Sequence, residues 1–313
     1  MTREKVLMLV HPKARPQSAK GTERDVWSAL RRMGCAVEVQ SLRQDLRPLD
    51  QALARFRPTV VFNLLEEFRD EGVFDFHPVS FLEAHGVPFT GCNPRALVLT
   101  RNKLWVSRIA SAAGVATPET RVGEWPKTSY PAFVKFNREH ASLGIRGDNR
   151  ASTPLQLKKV LRRMRALSAA EILIQEFIPG KEISVAAFGN HRPVVLPPWQ
   201  LRFADDHEFA TERVKFSAAH RRARAIRAGR YSGGEIPQAV RAVRELYRSL
   251  DLNGYARFDF RVRAGKIFLL DVNANPNLAK DEDFACSARQ AGFSYTELVA
   301  KILRLAKNYS PRI

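Results

Sequence analysis

Cysteine is scarce in this chain. Its 313 residues include 3 cysteines, Cys35, Cys92 and Cys286, which are widely spaced and form no CxxC pair. This odd number argues against a disulfide framework, and the absence of paired thiols argues against a zinc site. The pattern is typical of a reducing compartment, so we predict a cytoplasmic protein whose cysteines are packing residues.

Long hydrophobic runs are also missing. No apolar stretch approaches the roughly 20 residues that a membrane-spanning helix requires. The N-terminus, MTREKVLMLV, carries a short apolar run followed by HPKARPQ. It is too short for the apolar region of a signal peptide and lacks a small-residue cleavage site. We therefore interpret it as a first β-strand and predict no membrane partner.

Glycine-rich phosphate loops are absent after that strand, where HPKARPQSAKG follows instead. A dinucleotide fingerprint places its glycines directly after the first strand of a parallel sheet. The N-terminal sheet is therefore not obviously a nucleotide site.

Acidic residues are outnumbered, since the formal net charge is +19. The segment from Arg213 to Arg230 contains no acidic residue at all. Its basic residues are not interleaved with aromatic residues of the kind that stack on bases, which argues against nucleic acid as a partner. Docking of an acidic partner on this segment is an open alternative.

The pattern of elements predicts an α/β (α+β) fold. Up to about residue 95, short β-rich runs such as KVLMLV and TVVFNLL alternate with amphipathic stretches, which indicates a parallel sheet covered on both sides. A second unit begins near Thr100, with a helix over Arg101 to Gly114. Further strands are predicted in YPAFVKF, EILIQEFIPG and KEISVAAFG, and helices over 153–167, 235–252 and 295–308.

The stretch RFDFRVRAGKIFLLDVNANPN reads as two strands around a turn. Alternation places Arg257 and Asp259 on one face, and Asp271 and Asn273 together on the second strand. An odd-length loop centred on Gly265 would set Asp259 opposite Asp271 and Arg257 opposite Asn273. A two-residue loop would set Asp271 against an apolar residue, so we expect the odd-length loop. Facing carboxylates repel unless a cation lies between them, and hard oxygen donors suit Mg²⁺.

Two upstream stretches carry weaker signals. Lys135 ends an apolar strand, and the small polar segment after it resembles a phosphate-contacting loop. Glu182 lies beside an apolar strand pair, where a carboxylate could accept a ribose hydroxyl. Each feature alone is more often an ordinary surface residue.

Together, these motifs resemble the ATP-grasp enzymes, in particular the D-alanine–D-alanine ligase branch. The resemblance rests on Lys103, on FVKFNREHASLGI, on QEFIPGKEI and on ARFDF…LLDVNANPN, in that order, and covers the chain from Val61 onward. It implies an N-terminal Rossmann-like pre-ATP-grasp domain (1–98) and two ATP-clamping subdomains (99–187 and 188–313), the last bearing the metal site.

The resemblance also implies residues around the phosphates. Lys103 and Lys135 would contact ATP phosphates, and Ser142 would belong to a lid over them. Lys215 matches a loop lysine that reaches the γ-phosphate, and Arg257 matches an arginine facing the reacting carbonyl.

By the same resemblance, adenine would be held by the backbone of Glu176 and Ile178 and by the side chain of Gln175. Glu182 would take the ribose. Gln175 stands where relatives often carry Glu.

The implied metal ligands are Asp259, Asp271 and Asn273, for two Mg²⁺ ions with Mn²⁺ as an alternative. Asp271 occupies a position where the family more often has Glu.

The implied activity is that of an ATP-dependent carboxylate–amine ligase that forms an amide through an acyl phosphate, acting on small carboxylate and amine substrates. The substrate motifs depart from those of D-Ala-D-Ala ligases. The stretch HPKARPQSAKGTE lacks the family's Gly-Gly stretch and the acidic residue that follows it. Where relatives have Gly and a Ser-Leu pair, this chain has Asn277, Glu282 and Asp283. Phe216 replaces a Tyr. We therefore predict a ligase that does not make D-Ala-D-Ala.

Three alternatives remain open from the sequence. They are a true D-Ala-D-Ala ligase with a divergent pocket, a ligase that modifies a protein or peptide terminus, and a basic nucleic-acid-binding protein without ligase activity. Relatives are often dimers, which makes a homodimer one expected assembly.

Overall fold

The structure is a computed structural model that describes residues 3–14, 21–126, 129–139, 144–202 and 227–311. Within these residues the strands form three sheets. The strands are β1 (Lys5–Val10), β2 (Ala36–Ser41), β3 (Val60–Asn63), β4 (Thr120–Val122), β5 (Ala132–Phe136), β6 (Arg150–Ala151), β7 (Ile172–Glu176), β8 (Lys181–Phe188), β9 (Val194–Val195), β10 (Trp199–Arg202), β11 (Arg227–Arg230), β12 (Tyr255–Arg263) and β13 (Lys266–Asn273). The α-helices are α1 (Thr22–Arg32), α2 (Arg47–Phe56), α3 (Phe76–Ala84), α4 (Pro94–Arg101), α5 (Lys103–Ala112), α6 (Pro154–Leu167), α7 (Ile236–Ser249), α8 (Asp283–Gln290) and α9 (Tyr295–Lys307).

The first sheet is parallel, with strand order β2-β1-β3. Residues 6–10 of its central strand are buried, because helical crossovers cover the sheet. The α/β fold class and the N-terminal parallel sheet predicted from the sequence are therefore confirmed.

The second sheet is antiparallel, with order β4-β7-β5-β6, and α6 packs on it. Its core includes Val134 and Phe136 from β5 and Val160 and Met164 from α6. The helix begins after Thr153, whose hydroxyl accepts from the Gln156 N–H at 3.2 Å.

The third sheet has six strands, in the order β11-β10-β8-β12-β13 with β9 beside β8. One face of its central hairpin is apolar: Phe258, Phe260 and Val272 are fully buried, and the Tyr247 ring of α7 lies 6.1 Å from that of Phe258. The opposite face therefore carries the polar residues. β8 belongs to this sheet, whereas the subdomain boundary predicted at residue 187 falls near its end.

One helix boundary differs from the sequence-based expectation. The helix predicted over Arg101 to Gly114 begins at Lys103, because Asn102 ends α4 and caps α5 by accepting from the Trp105 N–H at 3.0 Å. An N-cap residue leaves helical geometry to accept this bond, so the chain turns before Lys103.

In the described part of the chain, every helix is too short or too polar to cross a bilayer.

Candidate active site

The hairpin of β12 and β13 sets two carboxylates opposite each other. Asp259 pairs with Asp271, and Arg257 pairs with Asn273, which is the pairing expected from the sequence. Because side chains two residues apart share a face, all four lie on the polar side of the third sheet.

The loop between β12 and β13 was predicted wrongly. Arg263 pairs with Lys266, so the loop has two residues, Ala264 and Gly265, both with positive φ. Such a turn matches the twist of the strands. The register then shifts between Asp259 and Phe260, where Leu270 is the extra residue of a β-bulge. The bulge, rather than the loop, brings Asp271 opposite Asp259.

Arg257 holds Asp259 with a two-pronged contact. Its Nε and Nη2 donate to Oδ1 and Oδ2, each at 2.9 Å. Burial opposes the charge of the guanidinium, but Asp259, Asp283 and Asp271 raise the pKa of Arg257 above its ordinary value. The arginine therefore remains charged amid these carboxylates.

Strand β8 adds a hydroxyl to this group. Ser184 is the cross-strand neighbour of Asp259, and its Oγ donates to Asp283 Oδ2 at 3.2 Å. Asp283 begins α8 and brings a further carboxylate over the sheet. The Glu282–Asp283 pair, which the sequence assigned to substrate binding, is thus contiguous with the Asp259–Asp271 pair.

Lys135 bridges the second and third sheets. Its side chain is buried, and its Nζ donates to the carbonyl of Leu270 at 3.1 Å. The acceptor is the bulge residue itself. The irregularity that aligns Asp271 therefore also offers a carbonyl to Lys135.

Lys103 fixes the start of the predicted lid segment. Its buried Nζ donates to the carbonyls of Asn137 at 3.3 Å and Glu139 at 2.5 Å. The far end is fixed by Arg163, whose Nη1 donates to the Gly144 carbonyl at 3.1 Å. Ser142, between these anchors, lies outside the described residues.

The predicted adenine contacts lie at the end of β7. Gln175 is buried and donates from Nε2 to Thr120 Oγ1 at 2.8 Å. The Glu176 N–H donates to the Glu119 carbonyl at 2.8 Å, which leaves the Glu176 carbonyl as its backbone group for a base. Ile178 is buried in the turn that follows.

Glu182 does not stand alone beside its strand. Its Oε2 accepts from Nη2 of Arg261 at 3.0 Å, and Nη1 of the same guanidinium donates to the Gly180 carbonyl at 2.8 Å. Arg261 lies two residues along β12 from Asp259, on the same face of the strand by alternation, and no sequence motif gave it a role. Its significance depends on the pairing of β8 with β12, which local alternation does not reveal.

The structure thus brings most predicted site residues to the polar face of the third sheet and to the adjoining end of the second. Lys215 and most of the basic segment lie outside the described residues. Ser184 is a site neighbour that sequence reasoning missed, although its spacing of two from Glu182 on β8 was a usable signal.

The donor set suits a hard divalent cation. Asp271 Oδ1 accepts from the Val272 N–H at 3.0 Å, and Asn273 Oδ1 accepts from the Asn275 N–H at 2.9 Å, so local bonds orient both side chains. Two carboxylates and an amide match the oxygen ligands that Mg²⁺ takes together with substrate phosphates.

A second acidic group lies beyond the first sheet. One oxygen of Glu67 is 3.0 Å from Nε2 of His11, and Asp70 lies within 4.8 Å of this pair. Asp70 is engaged by Arg43, with Nε–Oδ distances of 2.7 and 3.0 Å. Carboxylates therefore do lie near the carboxyl end of β1, but they come from Glu67 and Asp70 and not from the stretch HPKARPQSAKGTE.

The sequence of the chain was compared with family models and with known proteins. Residues 112–304 match the family model described as "D-ala D-ala ligase C-terminus". A protein of Sinorhizobium fredii named "Uncharacterized protein y4sG" is 30% identical over 79% of this chain and 74% of its own length. A D-alanine–D-alanine ligase of Carboxydothermus hydrogenoformans is 29% identical over 72% of this chain and 74% of its own.

Solved structures show the same fold. A D-alanine–D-alanine ligase of Bacillus anthracis, complexed with ATP, superposes with a TM-score of 0.77 at 18% identity, covering 97% of this chain and 98% of that one. The VanG D-Ala:D-Ser ligase of Enterococcus faecalis gives a TM-score of 0.74 at 16% identity, covering 97% of this chain and 100% of that one. The chain therefore belongs to the D-alanine–D-alanine ligase family of ATP-grasp enzymes, ligases that form C–N bonds.

Proposed function

We propose that this chain is an ATP-dependent carboxylate–amine ligase that acts on small molecules and does not make D-Ala-D-Ala. The observation that carries the proposal is the alignment of Asp259 with Asp271 on a face that also holds Arg257 and Asn273. The Bacillus anthracis ligase structure in complex with ATP supports the nucleotide as phosphoryl donor.

The reaction needs an activated carboxylate, because a carboxylate is a poor electrophile. One substrate carboxylate would attack the γ-phosphate of ATP, giving an acyl phosphate and ADP. The amine of the second substrate would then attack the acyl carbon, forming the amide and releasing phosphate and a proton.

The chain's own residues would divide this work. Lys103 and Lys135 would contact the phosphates, while Glu182 and the carbonyl of Glu176 would hold ribose and adenine. Arg257 would donate to the oxyanion that forms when the amine attacks. When bound by Asp259, Asp271 and Asn273, Mg²⁺ would neutralise charge on the phosphates.

The proposal about the second substrate rests on the negative charge of the carboxylates at the start of α8. Glu282 and Asp283 begin α8 where relatives receive a substrate carboxylate, and Asp283 is held against Ser184 beside Asp259. Carboxylates at this point repel an anionic group and favour an amino or cationic one. The second substrate is therefore proposed to present an amine rather than an α-carboxylate to α8.

The alternative of a true D-Ala-D-Ala ligase is supported by the names of several relatives. We also propose subdomain boundaries near residues 98 and 187 and a second metal ion at the site. We further propose a cytoplasmic location, a homodimer, and an acidic partner that docks on the basic segment.

A screen for ADP release across paired carboxylates and amines tests the function, with Asp271→Ala as the blank. The proposal expects Mg²⁺-dependent ADP and phosphate release that requires both a carboxylate and an amine. Release with D-Ala as sole amino acid would establish the true-ligase alternative, and no release with any pair would overturn the proposal.

A further inference from the structure

Arg261 is a buried arginine in the middle of the third sheet. Its side chain is 4% exposed, whereas the Glu182 carboxylate that it holds is 22% exposed. Burying a guanidinium is costly unless its donors are satisfied, and here two of its nitrogens have acceptors at 2.8 and 3.0 Å. The hydrogen bonds to Gly180 and Glu182 therefore offset the cost of burying the Arg261 guanidinium.

The two acceptors belong to one short segment. Gly180 ends the turn between β7 and β8, and Glu182 lies two residues further along β8. The turn is pressed against β12, since a Cβ atom on Gly180 would lie 2.0 Å from the Val262 carbonyl. Phe177, at the start of the turn, has its ring centroid 5.7 Å from the Arg261 guanidinium. One side chain thus fixes the turn at both ends.

The orientation of Glu182 follows from this contact. Oε2 is engaged by Arg261, and Oε1 accepts no hydrogen bond from the residues that the structure describes. The guanidinium that donates to Oε2 is itself fixed by its second bond, to the Gly180 carbonyl, which limits where the carboxylate can lie. The outer oxygen is consequently held in one place at the edge of the nucleotide site.

We propose that Arg261 is a positioning residue that holds Glu182 so that it selects the ribose of the nucleotide over deoxyribose. This inference rests on the proposed function, in which Glu182 accepts a ribose hydroxyl. The inference adds a physical cause for the role of Glu182. Without the guanidinium, the carboxylate can rotate toward solvent, and the turn that presents the adenine contacts loses its side-chain link to β12.

The test measures nucleotide binding rather than ligation. Calorimetry gives the Kd of MgATP and of the 2′-deoxy and 3′-deoxy analogues for the wild type, Glu182→Gln, Arg261→Met and the double variant. The wild type should bind ATP roughly tenfold or more tightly than at least one analogue, as expected for a hydroxyl bonded to a charged group. Glu182→Gln and Arg261→Met should both reduce this preference, and the double variant should show no further reduction.

Matched variants separate positioning from general damage. Arg261→Lys keeps the charge but loses the fork, so its preference should fall between wild type and Arg261→Met. Arg248→Met removes an arginine from an exposed pair with Glu245 and should keep the full preference. If Arg261→Met does not fold, the double variant, which leaves neither charge buried alone, and Arg261→Lys carry the test.

Three results would overturn the inference. They are an unchanged ribose preference in folded Arg261→Met and Arg261→Lys, a further loss in the double variant beyond that in Glu182→Gln, and no ribose preference in the wild type. Ribose-selective MgATP binding by a protein that releases no ADP with any substrate pair would instead contradict the proposed function and leave the role of Arg261 standing.

Discussion

The two ends of β12 use arginine in different ways. Arg257 pairs with Asp259 in the same strand, and both side chains are about one-fifth exposed, at 19% and 22%. Arg261 pairs with Glu182 on the neighbouring strand and also with the Gly180 carbonyl, and it is 4% exposed. A pair within one strand can exchange partners without moving any other element. A pair between strands, with its arginine buried, cannot, so the Arg257 end is suited to binding and the Arg261 end to fixing geometry.

The largest effect should follow from removing charge at the Arg257 end. Asp271→Asn keeps the size and leaves only one carboxylate in the facing pair, so kcat for ADP release should fall by roughly 10³-fold. Steady-state kinetics at several Mg²⁺ concentrations measures it. Glu245→Gln, in an exposed pair on α7, is the control and should retain activity. Full activity in Asp271→Asn would show that this face is not the reaction site.

At the Arg261 end the loss should be in stability. Arg261→Met removes the donor that joins the Glu182 carboxylate and the Gly180 carbonyl to β12, and the free energy of unfolding should fall by about 1–3 kcal/mol. Arg257→Met breaks a contact within one strand, so the free energy of unfolding should fall less, by about 1 kcal/mol. Urea denaturation of both variants makes the comparison, and equal losses would remove the distinction between the two ends.

A third arginine–carboxylate pair, Arg101 with Asp75, differs from the two pairs on β12 because its contribution to stability should depend on pH. Burial raises the pKa of Asp75 from 3.8 to about 6, although the charge of Arg101 opposes the shift. A folded-state pKa above the unfolded value means that this group's stabilisation is complete below about pH 3.8 and is lost as pH rises to about 6. The loss amounts to about 3 kcal/mol.

Asp75→Asn removes this titration. Its unfolding free energy, measured by urea denaturation from pH 4 to pH 7, should therefore fall less with rising pH than that of the wild type. Parallel curves for the two proteins would contradict this assignment to Asp75.

The smallest effect is expected from Arg257→Lys. Lysine keeps the charge but cannot make both contacts to Asp259, so kcat for amide formation should fall roughly tenfold while KM for ATP stays within about twofold. Comparing the rates of amide formation and ADP release provides the measurement. A rise in KM for ATP with unchanged kcat would assign Arg257 to nucleotide binding instead.

The sequence predicted those features that depend on short-range alternation. Arg257, Asp259, Asp271 and Asn273 share a face because strand side chains alternate, and their pairing was expected. The bulge at Leu270 could not be read, because the expected odd-length loop and the observed two-residue loop with a bulge give the same pairing at Asp259. A bulge is recognised from the hydrogen-bond ladder.

Long-range contacts were the other limit. The link from Lys135 to Leu270 joins residues 135 positions apart, and that from Arg261 to Glu182 spans 79. Neither β8–β12 pairing nor the approach of the second and third sheets leaves a local pattern. The resemblance to ATP-grasp enzymes gave Glu182 a role, but the arginine that orients it became visible only in the folded chain.

The proposed function requires that Asp259 and Asp271 together hold a divalent cation against the phosphates of ATP. A crystal structure with Mn²⁺ and a non-hydrolysable ATP analogue tests it through the anomalous signal of the metal. We expect a Mn²⁺ peak about 2.1 Å from an oxygen of each carboxylate and in contact with the phosphates. A bound nucleotide with no metal at this pair, or with the metal held elsewhere, would contradict it.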